Sequence, residues 1–319
     1  MSVSCDNLSS VRRWATVTCA VALLPIGMGS VVTTLKAGMA FADWPSSDGQ
    51  NMLLYPWLSD FAVNTEKFVE HGHRLAGMLI GFVAILLAWF GFRCGDRSVR
   101  NWTLGILVAV ICQGLLGGAR VVLNAQVLAM THSITGALFF SSCVVFRLLL
   151  NRGWNHWLAR SEERLPAVGA FLVMILPVIV LLQYGLGGVL RHLHGLRTEH
   201  VIGAVITLIA CLLAAISLVS SGSRVLRVAG ICVLATVGLQ VLLGLGSLVA
   251  RFGFKSVGYV AVTGSLEQAI ICSLHTVAGM FLLATCCCSS VIVFRLHCRG
   301  LLASTRITGV EPLRGGSVA

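Results

Sequence analysis

The stretch that decides the fold of this protein is VVLNAQVLAMTHSITGALFFSSCVVF, residues 121–146, which contains no Asp, Glu, Lys or Arg. A transmembrane helix needs about 20 predominantly apolar residues to cross the hydrocarbon core of a bilayer. Seven further charge-free runs of similar length lie at 14–35, 75–92, 101–119, 165–190, 200–223, 228–250 and 268–294. The sequence therefore predicts an all-α polytopic membrane protein with about eight transmembrane helices.

The composition of the 319 residues supports this class and excludes others. Hydrophobic residues make up 57% of the chain and charged residues 11%, whereas a soluble domain carries about 25% charged residues. Soluble, disordered, collagen-like and disulfide-scaffold proteins are thereby excluded. The first run is longer than the apolar core of a typical signal peptide and has no clear cleavage site, so we expect it to be retained as a helix.

Basic residues are distributed unevenly between the two sides that alternating runs would define. The formal net charge is +11, and with a cytoplasmic N-terminus 15 of the 23 basic residues, from Arg12 to Arg314, fall on the cytoplasmic side. Positively charged loops stay in the cytoplasm, so we expect both termini inside, in a multi-pass protein of the cell (inner) membrane. No nucleic-acid-binding motif accompanies these residues, and nucleic acid is excluded as a partner.

The twelve cysteines predict neither a disulfide framework nor a metal site. None lies in a predicted outer loop, where an oxidising compartment would favour a disulfide. Cys286, Cys287 and Cys288 are consecutive, and consecutive helical residues point about 100° apart, so the three cannot jointly hold one metal. We interpret the intramembrane cysteines as small buried apolar residues.

An internal repeat divides the chain into two halves. The repeated phrases are Gln113-Gly-Leu-Leu-Gly117-Gly118, Gln183-Tyr-Gly-Leu-Gly-Gly188 and Gln240-Val-Leu-Leu-Gly-Leu-Gly246. Their glutamines either hydrogen-bond a bound group or pack against a neighbouring helix, which the adjacent glycines allow to approach closely. Each phrase precedes a helix with a histidine near its outer end, and the second helix has its own. We expect two four-helix halves, at 1–160 and 161–319.

The four histidines are His73, His132, His200 and His275, one on each even-numbered helix. A single intramembrane histidine is compatible with a packing role, but four at one membrane level indicate function, because ionisable residues are rare in membranes. Histidines on facing helices of a four-helix bundle reach a common metal, and two neutral imidazoles fill the axial positions of haem iron. The sequence predicts two haem-sized sites near the outer face, one pair of histidines in each half.

A surface zinc or copper site is the alternative interpretation of the histidines. His71, His192 and His194, with the helix-end histidines, provide H-x-H pairs that suit divalent metals. Two residues at this spacing on a helix point nearly opposite ways, so His71 and His73 would cooperate only if the helix began between them.

Glu70 is the remaining unusual residue, because a carboxylate there lies at the membrane boundary. It precedes His73 by three residues and shares its helix face. One interpretation is a solvated carboxylate or one paired with Arg74. The other is a general acid or base beside a bound macrocycle.

On these residues the chain resembles the haem A synthase family, the cytochrome oxidase assembly protein 15 type, over essentially its full length. Thr33-Thr-Leu-Lys-Ala-Gly38-Met-Ala-Phe-Ala-Asp43-Trp44-Pro45 is similar to the family's T-x-x-G-x-G-x-x-x-x-D-W-P stretch. Glu70-His-Gly-His73-Arg74 fits the family's E-x-x-H-R motif. The family's later histidines correspond to His132, His200 and His275.

The resemblance implies an oxidoreductase that converts a methyl group of haem O to a formyl group, giving haem A for terminal oxidases. It implies that the N-terminal half holds the substrate haem between His73 and His132, with Glu70 as the essential acid. The C-terminal half would hold a permanent haem b, an iron cofactor, between His200 and His275. Haem O, haem O synthase and membrane lipid are the implied partners; the electron donor and acceptor are left open, as is a homo-oligomer.

Haem propionates are anionic, and arginine makes bidentate contacts with carboxylates. The basic residues available for them at the outer face are Lys36, Arg120, Arg191, Arg197, Arg251 and Lys255.

Three features of the sequence depart from the family. There is no cysteine at 43–66 or 189–199, where some members carry cysteine pairs. Lys36 and Ala37 replace small or polar residues of the first loop, and the last outer loop, about 251–267, is longer than its counterpart at 120–131.

Two other classes of protein account for part of the pattern. A bis-histidine cytochrome b, an electron carrier, explains four histidines but leaves Glu70 and the D-W-P loop without a role. A metal or solute transporter built from repeated halves predicts polar residues at mid-bilayer, whereas these histidines cluster at one end. A haem O-forming prenyltransferase is disfavoured, because paired Asp-rich motifs are absent.

Overall fold

The computed structural model describes residues 5–161 and 163–307. The helices are α1 (Cys5–Thr34), α2 (Thr65–Arg93), α3 (Arg97–Val122), α4 (Gln126–Leu149), α5 (Arg152–Arg160), α6 (Ala167–His192), α7 (Arg197–Val219), α8 (Arg224–Phe252) and α9 (Leu266–Ile307). Short 3-10 turns lie at Trp57–Asp60 and Lys255–Val257. Arg314, which contributes to the charge asymmetry of the sequence, lies outside the described residues.

Eight of these helices are long and apolar enough to cross a membrane, which confirms the predicted fold class. The exception is α5, which no charge-free run predicted because it is short and amphipathic. Its Trp154 and Leu158 are buried against the core, while Arg152 and Arg160 are exposed. The cytoplasmic location of both termini stays a prediction.

Polar side chains cap the starts of α2 and α3. The Asn64 side chain accepts a hydrogen bond from the N–H of Lys67 at 3.0 Å, and that of Asp96 accepts one from Val99 at 3.0 Å. Such caps satisfy backbone donors that have no partner within the helix. α2 thus begins ten residues before its charge-free run, and it includes the whole E-x-x-H-R motif.

The eight long helices pack as two groups of four. α1–α4 form one ring, in which α1 also packs against α4, and α6–α9 form a second ring closed by α6 and α9. The groups meet where α9 packs against α1 and α4, and where α4 packs against α6. One apolar core runs through both groups, with Phe140 and Phe281 in edge-to-face contact across the junction at 5.2 Å.

The connections at the histidine end differ greatly in length. α3 and α4 are joined by residues 123–125 and α6 and α7 by residues 193–196, where Asn124, His194 and Leu196 adopt left-handed backbone angles. Residues 253–265 join α8 and α9, so this connection is longer than its counterpart, as the sequence predicted. The connection between α1 and α2, residues 35–64, is the longest and folds back over the end of its bundle.

Candidate functional site

The four predicted histidines all lie near the start of the even-numbered spans. His73, His132, His200 and His275 fall within the first ten residues of α2, α4, α7 and α9 respectively. Because consecutive spans are antiparallel, these four helix starts share one end of the molecule. The fold therefore places all four imidazoles at the same end, as their spacing predicted.

Each imidazole ring lies against a glycine of the preceding span. A Cβ added to Gly29 would lie 2.8 Å from Cε1 of His73. The corresponding distances are 3.2 Å for Gly117 and His132, 3.1 Å for Gly187 and His200, and 3.1 Å for Gly244 and His275. A side chain at any of these positions would displace the ring. We call these four glycines the ring seats.

The Nδ1 atom of each ring faces a residue four positions before its seat. Nδ1 of His73 lies 2.9 Å from the carbonyl oxygen of Pro25. The other three partners are the glutamines of the repeat. Nδ1 of His132 and of His275 faces the backbone of Gln113 and of Gln240 without a hydrogen bond of normal geometry. Nδ1 of His200 lies 3.1 Å from Nε2 of Gln183.

This arrangement prepares the other ring nitrogen for a metal. A metal-binding histidine usually donates its second N–H to a carbonyl or similar acceptor, which fixes the tautomer and the orientation of the ring. A proton on Nδ1 of His73, donated to Pro25, leaves Nε2 as a free ligand. At His200 the amide nitrogen of Gln183 faces Nδ1 and also donates to the carbonyl of His200, so this ring lacks the acceptor that would fix the same tautomer.

Two of the three repeat glutamines also join neighbouring helices. Nε2 of Gln113 donates to Oγ1 of Thr135 at 2.6 Å, and Nε2 of Gln183 donates to the carbonyl of His200 at 2.9 Å. These bonds tie α3 to α4 and α6 to α7. They agree with the helix-packing interpretation of the repeat.

The first histidine pair has the spacing of two axial ligands. The ring centres of His73 and His132 are 6.2 Å apart and the ring planes are perpendicular. Two metal–imidazole bonds of about 2 Å in line, with the ring radii added, place ring centres about 6 Å apart. Gly77 and Gly136, one turn beyond the histidines, have no neighbouring atom within 4 Å of a Cβ position. The residues present therefore fit a flat macrocycle between these rings.

The second histidine pair also lies against two glycines, but the space beside its rings is more closely packed. His275 interacts electrostatically with His200, so the two rings are neighbours. Gly203 and Gly279 follow the two histidines by three and four residues, but Gln183 contacts the first, and Gln240 and Tyr184 lie against the second. The unpartnered Nδ1 of His275 and the two ring seats are the features that fit a resident haem here.

Glu70 is buried and fully engaged, with 1% of its surface exposed. Its Oε2 accepts hydrogen bonds from the N–H groups of Ala40 at 2.7 Å and Phe41 at 3.2 Å, and Arg74 donates to its Oε1 at 3.0 Å. Pairing with Arg74, one of the two interpretations of the sequence, is thus observed, and a solvated carboxylate is not. Glu70 fixes the first loop above the His73 end.

Arg74 ties the D-W-P segment of the first loop to α2. Arg74 donates to the carbonyls of Asp43 at 2.9 Å and Ser46 at 2.7 Å. The indole of Trp44 packs directly on Gly118 of α3. The two most specific motifs of the sequence therefore form one cover over the end of the bundle that carries the first histidine pair.

The Asp43 carboxylate organises the turn that follows it. It accepts hydrogen bonds from the N–H groups of Asp48 at 3.0 Å and Gly49 at 2.8 Å. Partial burial by itself raises the pKa of Asp43, but the hydrogen bonds from Ser46, Gly49 and Asp48 outweigh it and hold the pKa below its usual value. The carboxylate is therefore ionised at neutral pH, as its acceptor role requires.

His71 faces away from His73 and does not join it in a metal site. α2 begins at Thr65, before both histidines, and the His71 ring is buried among Phe41, Tyr55 and Trp57. Its Nδ1 lies 3.1 Å from Oγ of Ser47. Across residues 5–161 and 163–307 no group of three or more His, Cys, Asp or Glu side chains is arranged to hold a metal ion. The surface zinc or copper site therefore has no structural support.

The four arginines predicted near propionates lie in different surroundings. The Arg120 guanidinium packs against Gly38 of the first loop, 2.7 Å from its Cβ position, and interacts with Glu70. Arg191 donates to the carbonyl of Ser30 and to the hydroxyls of Thr34 and Thr276. Arg197 stacks on Phe252 at 4.2 Å, and Arg251 is exposed. Their role at propionates stays a prediction.

Two features of the site were missed in the sequence. The seat at Gly29 lies in α1, where Pro25 replaces the repeat glutamine, so a search for Q-x-x-L-G phrases passes over it. The common signal is the spacing, because Pro25–Gly29 repeats the four-residue interval of Gln113–Gly117. The second missed feature is the set of hydrogen bonds by which Arg191 joins helices that are distant in sequence. No pattern of neighbouring residues in the sequence indicates such contacts.

These features define a class: a helical membrane protein in which each four-helix group carries a seated histidine pair at the same end. The profile of the family described as COX15-CtaA, cytochrome oxidase assembly protein, matches residues 12–198, which is more than half of the chain. The chain belongs to this family.

Curated relatives agree with this membership. The chain is 27% identical over 141 residues to a heme A synthase of Methylobacterium radiotolerans, covering 42% of this chain and 38% of the relative. It is 30% identical over 133 residues to one of Methylobacterium nodulans, with coverage of 39% and 36%, and 29% identical over 143 residues to one of Shouchella clausii, with coverage of 44% and 45%. The chain thus matches less than half the length of each of these relatives.

Proposed function

We propose that this protein is a haem A synthase, which oxidises a methyl group of haem O to a formyl group. The observation that carries the proposal is the first histidine pair, whose ring centres are 6.2 Å apart, with open space beside Gly77 and Gly136. The named relatives support it, and so does the cover that Glu70 and Arg74 hold in place. A plain electron carrier has no need of this cover.

In this proposal the substrate haem O lies between His73 and His132. The ring seats orient the two imidazoles, and the loop of residues 35–64 excludes water from the reacting edge. Glu70 is the proton-handling group, and its contacts with Ala40 and Phe41 couple it to the loop. Exclusion of water strengthens the electrostatic interactions within such a site.

The second pair, His200 and His275, would hold a resident haem b. When bound, that group supplies one-electron redox chemistry, while the protein supplies its ligands, orientation and dielectric. Gln183 and the seats at Gly187 and Gly244 keep the two rings in place. We further propose that the histidine end faces outward from the cytoplasmic membrane, which reporter fusions to residues 35–64 and 95–96 would test.

The test of the function is conversion of haem O by purified variants produced together with haem O synthase. We expect His200→Ala and His275→Ala to lose most haem b. His73→Ala and His132→Ala should retain haem b while most haem A formation is lost, because each removes a proposed ligand of the substrate haem. Pigment extraction and chromatography measure both quantities.

Two results would contradict the proposal. Equal loss of haem b in all four variants would overturn the division of labour between the halves. A wild-type preparation that carries haem b but never converts haem O would make the protein an electron carrier.

A further inference from the structure

An apolar patch lies on the first loop, in the connection between the first two transmembrane helices. Five large apolar side chains within eleven residues of sequence are 69–86% exposed: Leu53, Leu54, Leu58, Phe61 and Val63. We call these five residues the loop patch. Clustered exposed apolar side chains of this kind mark a contact with a membrane or with another protein.

The segment that carries the loop patch is held in shape by two aromatic residues that point the other way, toward α2. Nε1 of Trp57 donates to the carbonyl of Phe68 at 2.6 Å, and the two rings stack with their centres 4.9 Å apart. The hydroxyl of Tyr55 donates to Asp60 at 2.8 Å, and its ring lies 4.8 Å from that of His71. Because these rings face α2, the apolar residues around them face outward.

The face of α2 beneath this segment is the face that meets lipid farther along the helix. Met78, Phe82, Ile85 and Trp89 follow His71 at helical intervals of three, four or seven residues, so all five share one side of α2. The four later residues are exposed, whereas His71 is fully buried because the first loop covers it. The loop patch therefore lies on the lipid-facing side of the molecule.

The segment also lies at the level of the lipid headgroups. The charge-free run of α2 begins at Leu75, four residues after His71, which is about 6 Å along a helix. The headgroup region on each side of a bilayer is about 5–7 Å thick, since a core of about 30 Å lies within a total of about 40–45 Å. Trp57 contacts Gly72 at this level, where interfacial tryptophans are common.

We propose that residues 53–63 form an interfacial anchor, whose loop patch inserts into the boundary between headgroups and acyl chains at the histidine end of the protein. The anchor binds lipid through apolar contact and not through charge. Asp60 is the one charged residue of the segment, and nearby Lys67 is paired with Asp48. Anionic headgroups are therefore not required. The inference is independent of the proposed function.

The anchor connects the bilayer with the cover over the first histidine pair. On the side of His71 that faces the loop, the ring of Phe41 lies 5.9 Å away and Oγ of Ser47 lies 3.1 Å from Nδ1. The N–H of Phe41 in turn donates to Glu70. Insertion of the loop patch into lipid thus supports the part of the loop to which Glu70 is bonded.

The experiment is site-specific photocrosslinking of the full-length protein in phosphatidylcholine vesicles. Benzoylphenylalanine, a photoreactive residue, takes the place of Leu54 or Leu58, and mass spectrometry detects lipid adducts after irradiation. We expect adducts at both positions, with a yield comparable to that at Phe82 on the lipid-facing side of α2. Gln50, an exposed polar residue of the same loop, is the matched control, and its yield should stay at background.

Val63, the most exposed residue of the loop patch, is the substitute position if one of these variants does not fold. Addition of phosphatidylglycerol to the vesicles should leave the yields unchanged, and adducts that require this anionic lipid would overturn the apolar basis of the contact. Background yields at the loop patch beside normal adducts at Phe82 would overturn the anchor itself. Crosslinks to a second protein in native membranes, in place of lipid, would also overturn it and make the loop patch a protein-docking surface.

Discussion

At the residue scale, Glu70 shows how a charged group is accommodated at the boundary of a membrane. Its carboxylate receives two backbone N–H groups and one guanidinium, so both oxygens have partners. Charge-assisted hydrogen bonds of this kind are stronger than neutral ones. The spacing of Glu70 and Arg74 offered their pairing as one interpretation, but it gave no sign of the contact with residues 40–41, which depends on how the first loop folds back.

The Glu70→Gln variant tests whether Glu70 transfers a proton or only holds the first loop in place. The amide keeps the size of the side chain but removes its charge and titratable proton. We expect haem A formation per mole of folded protein to fall about 10²–10⁴-fold, the usual range for a general acid or base. Haem b content should be retained.

Arg74→Gln is the matched control, because it breaks the same ion pair and leaves the carboxylate. Both variants should lose stability on the order of 3 kcal/mol, since each leaves a buried charge without its partner, and thermal unfolding in detergent measures the loss. If activity fell equally in both, Glu70 would be a loop-holding residue only. Wild-type conversion in Glu70→Gln would remove its assignment altogether.

At the scale of the element, the repeating unit is a helix pair: one helix carries the seat and the next carries the histidine. Glycine in a helix costs about 1 kcal/mol relative to alanine, and each seat glycine is justified by the ring that occupies its place. The eight transmembrane helices were predictable because a charge-free run of about 20 residues is what crossing a bilayer requires. α5 and the cover of residues 35–64 were not, because the first is short and the second depends on tertiary contacts.

A substitution at a seat should act through the ring it supports. Gly187→Val would press on His200, whose Cε1 lies 3.1 Å from the Cβ position, and we expect most of the haem b to be lost. Gly185→Val is the control on the same helix, because nothing lies within 4 Å of its Cβ position. The ratio of haem b to protein, with the low-spin spectrum, measures the effect. Equal retention in the two variants would show that the seat is not required.

At the scale of the whole molecule, Arg191 holds the two bundles together. From α6 it donates to Ser30 and Thr34 of α1 and to Thr276 of α9. Ser30 also donates to the carbonyl of Ser273 at 3.1 Å. The sequence placed Arg191 at the end of its helix that faces the histidines. It gave no means of predicting a junction of three helices that are separated by more than 80 residues.

Replacing Arg191 should weaken the packing between the two four-helix groups. We expect Arg191→Gln to lower the free energy of unfolding on the order of 3 kcal/mol, because hydrogen bonds to a charged group contribute about 1.5–3 kcal/mol each and the glutamine replaces only part of them. Arg197→Gln, at an exposed position on the neighbouring helix, should have little effect. Thermal unfolding in detergent compares the two, and equal stability would refute the structural role.

The position of Arg191 also has an electrostatic consequence. Ser30 adjoins the seat at Gly29, and Thr276 adjoins His275, so the guanidinium stands between the two histidine pairs. Among the described residues its partners are neutral hydroxyls and a carbonyl, and no carboxylate forms an ion pair with it. In a medium of low dielectric such a charge acts over long distances. Its field would favour the reduced state of a redox group held at either site, so the side chain that joins the bundles also sets the electrostatic potential at both histidine pairs.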